Sequence, residues 1–380
     1  MQFEMTKEFL EQIVKAVNSQ DILFLRENLS ELHAADVNLI LMELNTHQSK
    51  YVIDLLDTEI SAEIIAELDS DIRDKFIETF DPKEVAQLIP HLESDDAADI
   101  LNEQKIKFRE EVLSQVKDKQ TVVNLQELLR YEEDCAGGMM AKELVKADVN
   151  WNILQCIEEI KRQAEEVDKL YSIYVVNDKE KLMGRISVKK LLLAPNTTKV
   201  ADLYEDDIIS VDVFMEDDEI AQVMAKYDLD AVPVVNLQNK LVGRITIDDI
   251  VDVITEQAET ERNLMAGISE NVEQSDSIWE LTRARLPWLL IGVLGGLLSA
   301  MLLGFFEEPL SQVTAVAFFI PLITATGGNV GIQSSSIVVQ GLANKSAFDD
   351  TISTQILKSL VVSILNGIAI CIFVLIFVYA

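Results

Sequence analysis

Carboxylates are the side chains in this sequence most able to bind a cation. The chain has 65 Asp and Glu residues against 32 Lys and Arg, a formal net charge of -33. Of that charge, -31 lies before Pro287. A field of this sign attracts cations and repels nucleic acid, so we expect cations and no nucleic acid among the partners. A merely solubilising surface is the alternative interpretation, although the acids occur in clusters.

A second set of oxygen-bearing residues lies in an apolar segment near the C-terminus. Asn329 and Gln333 are four residues apart, so they share one helix face and offer two amide oxygens. Gly327 and Gly328 directly precede Asn329. Polar residues at membrane depth face protein or a water-filled cavity. We therefore predict that these four residues line a pore, with close helix packing at the glycine pair as the alternative.

Residue patterns typical of enzymes are missing from the sequence. All three histidines lie between residues 31 and 101, and no Ser-His-Asp set, P-loop, HExxH motif or nucleophile elbow occurs. The three cysteines form no CxxC pair, which argues against disulfides and a thiolate metal site. We expect a non-enzyme whose acidic part lies in the reducing cytoplasm.

Three long uncharged runs predict membrane spans, which we place at residues 287–306, 313–343 and 357–380. The first run, from Trp288 to Phe306, just crosses a hydrocarbon core of ~30 Å at ~1.5 Å per residue. Arg283 and Arg285 precede it, so the positive-inside rule places residues 1–286 in the cytoplasm. No signal peptide begins the sequence. We expect a multi-pass protein in the lipid bilayer of the cell (inner) membrane.

Residues 31–101 repeat every twelve positions. Asp81-Pro82-Lys83-Glu84 combines a helix cap, a first-turn proline and a carboxylate at the third helical position. Equivalent positions in the repeat hold mostly Asn or Asp, which are good N-caps. The six cap positions are His33, Asn45, Asp57, Asp69, Asp81 and Glu93. Each unit predicts one short helix that cannot bury its apolar face alone, so we expect an all-α superhelix over residues 1–130.

A duplicated module follows the repeat. The segments SIYVVN and KLMGRIS, within residues 172–187, recur 59 positions later as AVPVVN and KLVGRIT. Each copy predicts a strand, a turn, a second strand carrying Gly-Arg-Ile and a helix, with a further helix before it near Ile153–Gln163 or Glu219–Ala225. We therefore predict two α/β domains, at residues 131–200 and 201–253, and an acidic connecting helix at 254–286.

The two copies resemble CBS domains, which occur as regulatory pairs. The whole order, with YEEDCAGGMM at 131–140 and GGNVGIQ at 327–333, resembles the MgtE family of magnesium channels or transporters. The resemblance implies a homodimeric, multidomain membrane protein that conducts Mg2+. It also implies that the cytoplasmic domains bind Mg2+, pull together and shut the pore when Mg2+ is high.

The family has five spans and an acidic residue in the last of them, whereas three spans are predicted here. We therefore expect this sequence to be incomplete relative to the family, as a fragment, a truncated chain or one part of a split protein.

The resemblance further implies a set of Mg2+ ligands in the superhelix, the second CBS domain and the connecting helix. In that order they are Glu63, Asp95 and Asp99; Glu216, Asp218, Asp228 and the carbonyl of Ala225; and Asp249, Asp252, Glu256, Glu259 and Glu261. Gln257 and Thr260 stand where the family has acids, and the adjacent Glu256 and Glu259 are taken as substitutes. Mg2+ is a hard cation that prefers oxygen ligands, and Mn2+ and Co2+ are further candidate ions. A solvated helix face is the alternative for each single acid.

A nucleotide-sensing module on a membrane anchor is the alternative function. CBS pairs often bind adenine nucleotides, and a Ser/Thr-x-x-Asp pattern after the second strand can hold a ribose. Thr246 and Asp249 match this pattern in the second copy, whereas Ser187 and Lys190 stand at these positions in the first. Thr246 and Asp249 are therefore candidate ATP ligands, and Asp249 would be shared with Mg2+.

Overall fold

The structure is a computed structural model that describes residues 5–163, 167, 170–269, 272, 277–312, 319–343 and 352–379. The chain divides into two compact units, Met1–Ile254 and Thr255–Ala380. The predicted superhelix and both CBS copies lie in the first unit, and the predicted spans lie in the second. The start of the second predicted span, part of the connecting segment and residues 344–350 fall outside the described residues.

In the N-terminal part of the first unit, the described residues form ten short helices. They are α1 (Lys7–Ser19), α2 (Ile22–Leu29), α3 (Ala34–Met42), α4 (Thr46–Leu55), α5 (Thr58–Ala66), α6 (Ser70–Ile77), α7 (Pro82–Leu88), α8 (Ser94–Asn102), α9 (Ile106–Gln115) and α10 (Lys119–Leu128). A 3₁₀ turn, Ile89–His91, separates α7 from α8. The all-α superhelix expected from the repeat is confirmed.

Each of the six predicted cap positions begins one of the helices α3 to α8. At α4, the side-chain Oδ1 of Asn45 accepts from the Gln48 backbone N–H at 3.1 Å, and the side-chain Oε1 of Gln48 accepts from the Asn45 backbone N–H at 3.2 Å. At α7, Glu84 accepts from the Asp81 N–H at 2.8 Å. These side chains satisfy backbone groups that a helix start leaves without an intrahelical partner.

Alternate helices pack against each other along the N-terminal part: α3 contacts α5, α5 contacts α7 and α7 contacts α9. The repeat position that includes Ile64, Phe76 and Ile100 is buried in every unit. Because one apolar stripe lies on each helix, stacking neighbouring units builds a continuous core that no single unit could form.

Two three-stranded sheets follow, and they share one topology. The first contains β1 (Val145–Asp148), β2 (Ile173–Val176) and β3 (Leu182–Ile186), and the second contains β4 (Val211–Asp212), β5 (Ala231–Val235) and β6 (Leu241–Thr246). In each sheet the first strand pairs parallel with the second, which pairs antiparallel with the third. The duplicated α/β module predicted from the sequence is confirmed.

Five further helices accompany the sheets. They are α11 (Ala136–Met139), α12 (Ile153–Gln163), α13 (Val188–Leu193), α14 (Asp217–Tyr227) and α15 (Ile247–Ala266). A short 3₁₀ turn, Val200–Asp202, lies between the copies. The helices α12 and α14 occupy the positions predicted before each copy.

The short helix α11 joins the N-terminal helices to the second copy, since it contacts α8, α14, β4 and β6. The backbone N–H of Ala136 donates to the Met215 carbonyl at 2.9 Å, and that of Gly137 donates to the Val213 carbonyl at 2.8 Å. A Cβ atom on Gly138 would overlap the carbonyl of Glu132. The chain can approach itself this closely only because this position lacks a side chain.

The connecting helix differs from the one predicted at residues 254–286. The helix α15 starts directly after β6, at Ile247, and ends at Ala266. Gly267 follows with φ of +72°, and the Ile268 N–H donates to the Asn263 carbonyl at 2.9 Å. A left-handed glycine with this hydrogen bond is a common helix terminator, so the predicted single helix is divided here.

The second unit contains four described helices beyond α15. They are α16 (Ile278–Gly304), α17 (Glu307–Gln312), α18 (Ile320–Ala343) and α19 (Ile352–Tyr379). In the part of the chain described here, two segments are long and apolar enough to cross a membrane, Ile278–Gly304 and Ile356–Phe377. The helix α18 is also long enough, but its glycine, amide and hydroxyl residues lower its hydropathy. The second predicted span therefore remains a prediction.

The first membrane helix begins earlier than the predicted span at 287–306. The Ser277 side chain caps α16 together with Glu280, whose carboxylate accepts from the Ser277 N–H at 2.9 Å. Pro287 lies inside the helix. The charged first two turns of α16 thus continue into the apolar run without a break.

Candidate cation-binding site

The start of α8 brings several carboxylates to one place. Glu93 is the N-cap of this helix, Asp95 and Asp96 lie in its first turn, and Asp99 lies one turn further on. The N-terminal end of a helix favours negative charge, which helps to hold acids at this position. Asp95 is only 7% exposed, so water screens its negative charge poorly.

Burial raises the pKa of Asp95 well above its ordinary value, and the negative charges of Asp249, Asp96, Glu93 and Glu143 raise it further. These groups come from α8, from the segment after α11 and from α15. They share one region of the first unit and repel one another there. A carboxylate in this environment favours binding either a proton or a cation.

Asp96 and Asp99 have a similar environment. Burial raises the pKa of each to about 7, although the positive charge of Arg73 opposes the rise in both. The Arg73 guanidinium also binds Glu103, with its Nε atom 3.0 Å from each carboxylate oxygen, and donates through Nη1 to the Ala66 carbonyl at 2.8 Å. One buried arginine therefore offsets only part of the negative charge on α8.

Asp249 faces the α8 acids from the start of α15. Burial raises the pKa of Asp249, and hydrogen bonds from Thr246 oppose the rise. The Thr246 hydroxyl donates to Asp249 Oδ2 at 2.8 Å and its backbone N–H donates at 3.0 Å. The pKa of Asp252 is also raised by burial, with smaller effects from Asp248 and Asp69. The structure thus places Asp95 and Asp249 in one acidic region, with Asp96 between the influence of Asp249 and Arg73, and metal binding by these residues stays a prediction.

The acids do not form a finished coordination shell. Among the residues that the structure describes, no three Asp, Glu, His or Cys side chains converge closely enough to hold a metal ion. Mg2+ commonly binds one or two carboxylates and keeps several waters. These poorly neutralised carboxylates suit such an ion in charge and in ligand type, and metal binding by Asp95 and Asp249 stays a prediction.

The other predicted ligands of the first unit lie on two helices. Glu63 is exposed on α5, and Glu216 is the exposed N-cap of α14. Asp218 lies in the first turn of α14. Ala225 is in the last turn, and Asp228 ends that helix with φ of +53°. The role of these residues in metal binding stays a prediction.

Three predicted ligands lie on the part of α15 that belongs to the second unit. They are Glu256, Glu259 and Glu261. Glu256 and Glu259 are exposed, and Glu261 is half-buried. Glu259 forms an ion pair with Arg262 at 3.5 Å. This contact occupies one of the two acids proposed as substitutes.

Several residues of the acidic region were not predicted from the sequence. They are Glu93, Asp96, Glu143 and Asp248, with the cations Arg73 and Arg244. Asp96 and Asp248 adjoin predicted ligands in the chain, so their positions in a helix first turn were a usable signal. Glu143 lies 49 positions from its partner Ser94, and Arg244 lies 151 positions from its partner Glu93. No local pattern indicates such pairs.

The four predicted pore residues, Gly327, Gly328, Asn329 and Gln333, all lie on α18. The side chains of Asn329 and Gln333 are exposed. Cβ atoms added at Gly327 and Gly328 would meet nothing within 4 Å. Within the described chain, these glycines are therefore not used for close packing, and pore lining stays a prediction.

Family models match the N-terminal helices, the duplicated module and the C-terminal segment of the chain. The model of the MgtE intracellular N domain matches residues 32–134, and the CBS domain model matches residues 136–196 and 200–256. The divalent cation transporter model, MgtE, matches residues 320–380. The predicted fold class, an all-α N domain followed by tandem CBS domains and a helical membrane domain, is confirmed.

Three similar curated proteins are each named magnesium transporter MgtE. The protein from Thermus thermophilus is 30% identical over 337 residues, which are 87% of this chain and 74% of the relative. Those from Bacillus subtilis and Enterococcus faecalis are 31% and 35% identical. These two matches cover 74% and 66% of this chain, but only 62% and 56% of the relatives. The chain therefore spans between about half and three quarters of the length of these proteins.

Two solved structures resemble the cytoplasmic part. One is the cytosolic domain of the Mg2+ channel MgtE in complex with ATP, with a TM-score of 0.61 and 30% identity over 64% of this chain and 99% of that chain. The other is the soluble part of a magnesium transporter, with a TM-score of 0.59 and 26% identity over 66% and 99%. The chain belongs to the MgtE family, whose members are magnesium-transporting membrane proteins rather than enzymes.

Proposed function

We propose that this chain transports Mg2+ across the cell membrane and that its acidic region senses cytoplasmic Mg2+. The observation that carries the proposal is Asp95, a buried carboxylate surrounded by other acids on α8 and α15. Repulsion among these acids destabilises the contact between the N-terminal helices and the second CBS domain. A divalent cation bound there neutralises the acids and removes this destabilisation.

The sensing mechanism follows from this repulsion. Without Mg2+, the charges on α8 and α15 favour separation of the N-terminal helices from the second CBS domain. Bound Mg2+ removes the repulsion and favours the docked arrangement, so the ion shifts a two-state equilibrium. Asp249 and Asp252 lie on α15, the helix that leads into the second unit. This continuity gives a route by which docking biases the membrane domain toward a closed state.

The membrane arrangement is also part of the proposal. Residues 1–286 lie in the cytoplasm, the protein is multi-pass in the cell (inner) membrane, and two copies form the pore. The helix α18 contributes Asn329 and Gln333, whose amide oxygens suit a hydrated hard cation. The names of the similar transporters support Mg2+ as the transported ion. Mn2+ and Co2+ are further candidates, because they too are divalent cations that oxygen ligands can bind.

Mg2+ influx into proteoliposomes tests transport. Vesicles that contain the full chain and an internal Mg2+-sensitive dye should report influx above that of empty vesicles. Asn329→Leu should reduce it strongly, whereas Val338→Leu on the same helix should not. Influx no faster than in empty vesicles would contradict transport by this chain.

Limited proteolysis of the full chain in detergent micelles tests sensing separately. Millimolar Mg2+ should protect the first unit from cleavage, and the combined change Asp95→Ala with Asp249→Asn should abolish the protection. Glu110→Gln, at an exposed position on α9, is the matched control and should keep it. Identical digestion with and without Mg2+ in the unchanged protein would sink the sensing role.

Adenine nucleotide binding is a second candidate, which the similar structure in complex with ATP favours. The Thr246 hydroxyl and Asp249, which match the ribose pattern, are hydrogen-bonded to each other at 2.8 Å. A ribose would therefore have to replace that contact. A rise in melting temperature with ATP in the presence of EDTA supports this candidate, and Thr246→Val should remove the rise. No rise with ATP counts against it.

A further inference from the structure

The Gly-Arg-Ile motif of the duplicated module places one arginine at the same position of both sheets, but the two arginines have different partners. Arg185, on β3, has a side chain that is 40% exposed and lies 3.6 Å from Glu205, which is in the segment between the Val200–Asp202 turn and β4. Arg244, on β6, has a side chain that is 3% exposed. The difference between the copies indicates that Arg244 has a role beyond supporting its own sheet.

Arg244 reaches the N-terminal helices. Its Nη2 atom donates to both carboxylate oxygens of Glu93, at 2.8 and 3.0 Å. Glu93 is the N-cap of α8, the helix that carries Asp95, Asp96 and Asp99. The Glu93 side chain is 32% exposed, so water reaches one side of the pair. A charge-assisted hydrogen bond is nevertheless among the stronger polar contacts in proteins. It links the second CBS domain to the N-terminal helices without a metal ion.

Neighbouring contacts fix the same two surfaces. The Ser94 backbone N–H and hydroxyl donate to Glu143 Oε2 at 3.1 and 2.7 Å. The Lys142 N–H donates to the Ser94 hydroxyl at 2.7 Å. The backbones of Ala141 and Arg244 pair in both directions, at 2.8 and 2.9 Å. The segment 141–143 therefore holds α8 and β6 in register, with Arg244 aimed at Glu93.

We propose that the Arg244–Glu93 ion pair is a metal-independent latch, which keeps the N-terminal helices partly docked on the second CBS domain when no Mg2+ is bound. The latch acts against the repulsion between the α8 acids and Asp249. Docking is then favoured by the Arg244–Glu93 ion pair and opposed by the repulsion among the acids. Bound Mg2+ favours docking further.

The latch sets how much Mg2+ the sensor needs, and this part of the inference rests on the proposed sensing role. A state that is already partly populated requires less ligand binding energy to become dominant. Weakening the latch should therefore raise the Mg2+ concentration at half-maximal protection. Arg244 and Glu93 are positioning residues in this scheme, because neither is a proposed Mg2+ ligand.

Hydrogen exchange of the full chain in detergent micelles, measured in EDTA, tests the latch directly. Glu93→Gln should speed exchange about tenfold in both α8 and β6. Loss of the Glu93 negative charge alone would slow exchange, because Glu93 adds to the repulsion around Asp95. Unchanged or slower exchange in Glu93→Gln would overturn the latch.

A second variant separates charge from geometry. Glu93→Asp keeps the charge and keeps a favoured N-cap residue, so α8 should still form. Its shorter side chain should lose the contact with Arg244, and β6 should again exchange faster. A rate in β6 equal to that of the unchanged protein would contradict the latch.

The first copy supplies the matched controls. Arg185→Gln and Glu205→Gln remove the equivalent pair and should leave exchange in α8 unchanged. In the double variant Glu93→Gln with Arg244→Gln, the two effects should be far from additive, as expected for directly interacting side chains. Additive effects would argue against a direct pair.

A Mg2+ titration of the same samples distinguishes the two proposals. With both correct, Glu93→Asp shifts the midpoint to about tenfold higher Mg2+. Exchange in the unchanged protein that does not respond to Mg2+ would contradict sensing, while the EDTA comparison would still decide the latch.

Discussion

Three carboxylates on α8 have pKa values well above those of ordinary acids. Asp95 is buried and Asp96 and Asp99 are half-buried on one helix, and the positive charge of Arg73 offsets only part of the effect of burial on the last two. Their raised pKa values mean that the folded protein binds protons more tightly than the unfolded chain. Removing this charge, by protonation or by substitution, should therefore stabilise the metal-free protein.

Acidification should stabilise the protein when Mg2+ is absent. Asp96 and Asp99 have a pKa of about 7 in the folded state against 3.8 as the ordinary value. Their contribution to stability is fully present below the ordinary value and is lost as the pH rises through about 7. The melting temperature in EDTA should rise on the order of 5 °C between pH 8 and pH 6.

Saturating Mg2+ serves as the comparison for that experiment, since it should flatten the pH dependence by competing with protons for the same oxygens. A melting temperature that falls between pH 8 and pH 6 in EDTA would contradict the assigned environment of these acids.

Replacing Asp95 with Asn should stabilise the metal-free protein by about 2 kcal/mol, because a buried charge near Asp249 is removed. The same change should reduce the stabilisation that Mg2+ provides. Thermal unfolding with and without Mg2+ measures both effects. Asp207→Asn, at an exposed acid in the segment before β4, is the control and should change neither. A lower melting temperature for Asp95→Asn in EDTA would refute the prediction.

At the scale of elements, the short helix α11 decides how the N-terminal helices meet the second CBS domain. It contacts four elements from both domains, and its two glycines allow the approach. A Cβ atom at Gly137 would overlap the ring of Tyr131, whereas one at Gly138 would overlap the backbone of Glu132. A ring can move or be removed, but the backbone cannot.

This difference gives a paired prediction. Gly138→Ala and Gly137→Ala should each destabilise the protein by about 1 to 3 kcal/mol. Adding Tyr131→Ala should relieve the strain in Gly137→Ala but not in Gly138→Ala. Chemical denaturation of the single and double variants measures this. Equal behaviour of the two glycines in the Tyr131→Ala background would argue against the described packing.

At the scale of the whole molecule, a charge of -33 raises the question of whether Mg2+ acts at a site or only as a screening ion. Screening acts over about a Debye length and depends only on ionic strength. A buried acidic region responds to a divalent ion that enters it. We therefore expect Mg2+ to raise the melting temperature of the first unit more than KCl does at equal ionic strength.

Differential scanning calorimetry of the full chain in micelles separates these effects, with Asp95→Asn as the matched variant that should respond to the two salts equally. An equal response of the unchanged protein to MgCl2 and KCl would show that the acids act only as a charged surface.

The sequence alone determined the order and type of the domains. The twelve-residue repeat predicted the helices and their caps, because N-cap chemistry and apolar periodicity act within a few residues. The module that recurs 59 positions later predicted two similar α/β domains, because its strand and turn patterns also act within a few residues. The apolar runs near Trp288 and Ser359 similarly predicted helices long enough to span a membrane.

Only the tertiary structure decided which charges meet. Asp95 and Asp249 were among twelve candidate ligands, and the sequence could not separate the buried Asp95 and half-buried Asp249 from exposed acids such as Glu63. The pairing of Glu93 with Arg244 joins residues 151 positions apart and distinguishes two arginines with the same local motif. The physical reason is that desolvation and charge–charge repulsion depend on distances through space. These distances are set by how the superhelix lies on the second CBS domain, not by any one segment of the chain.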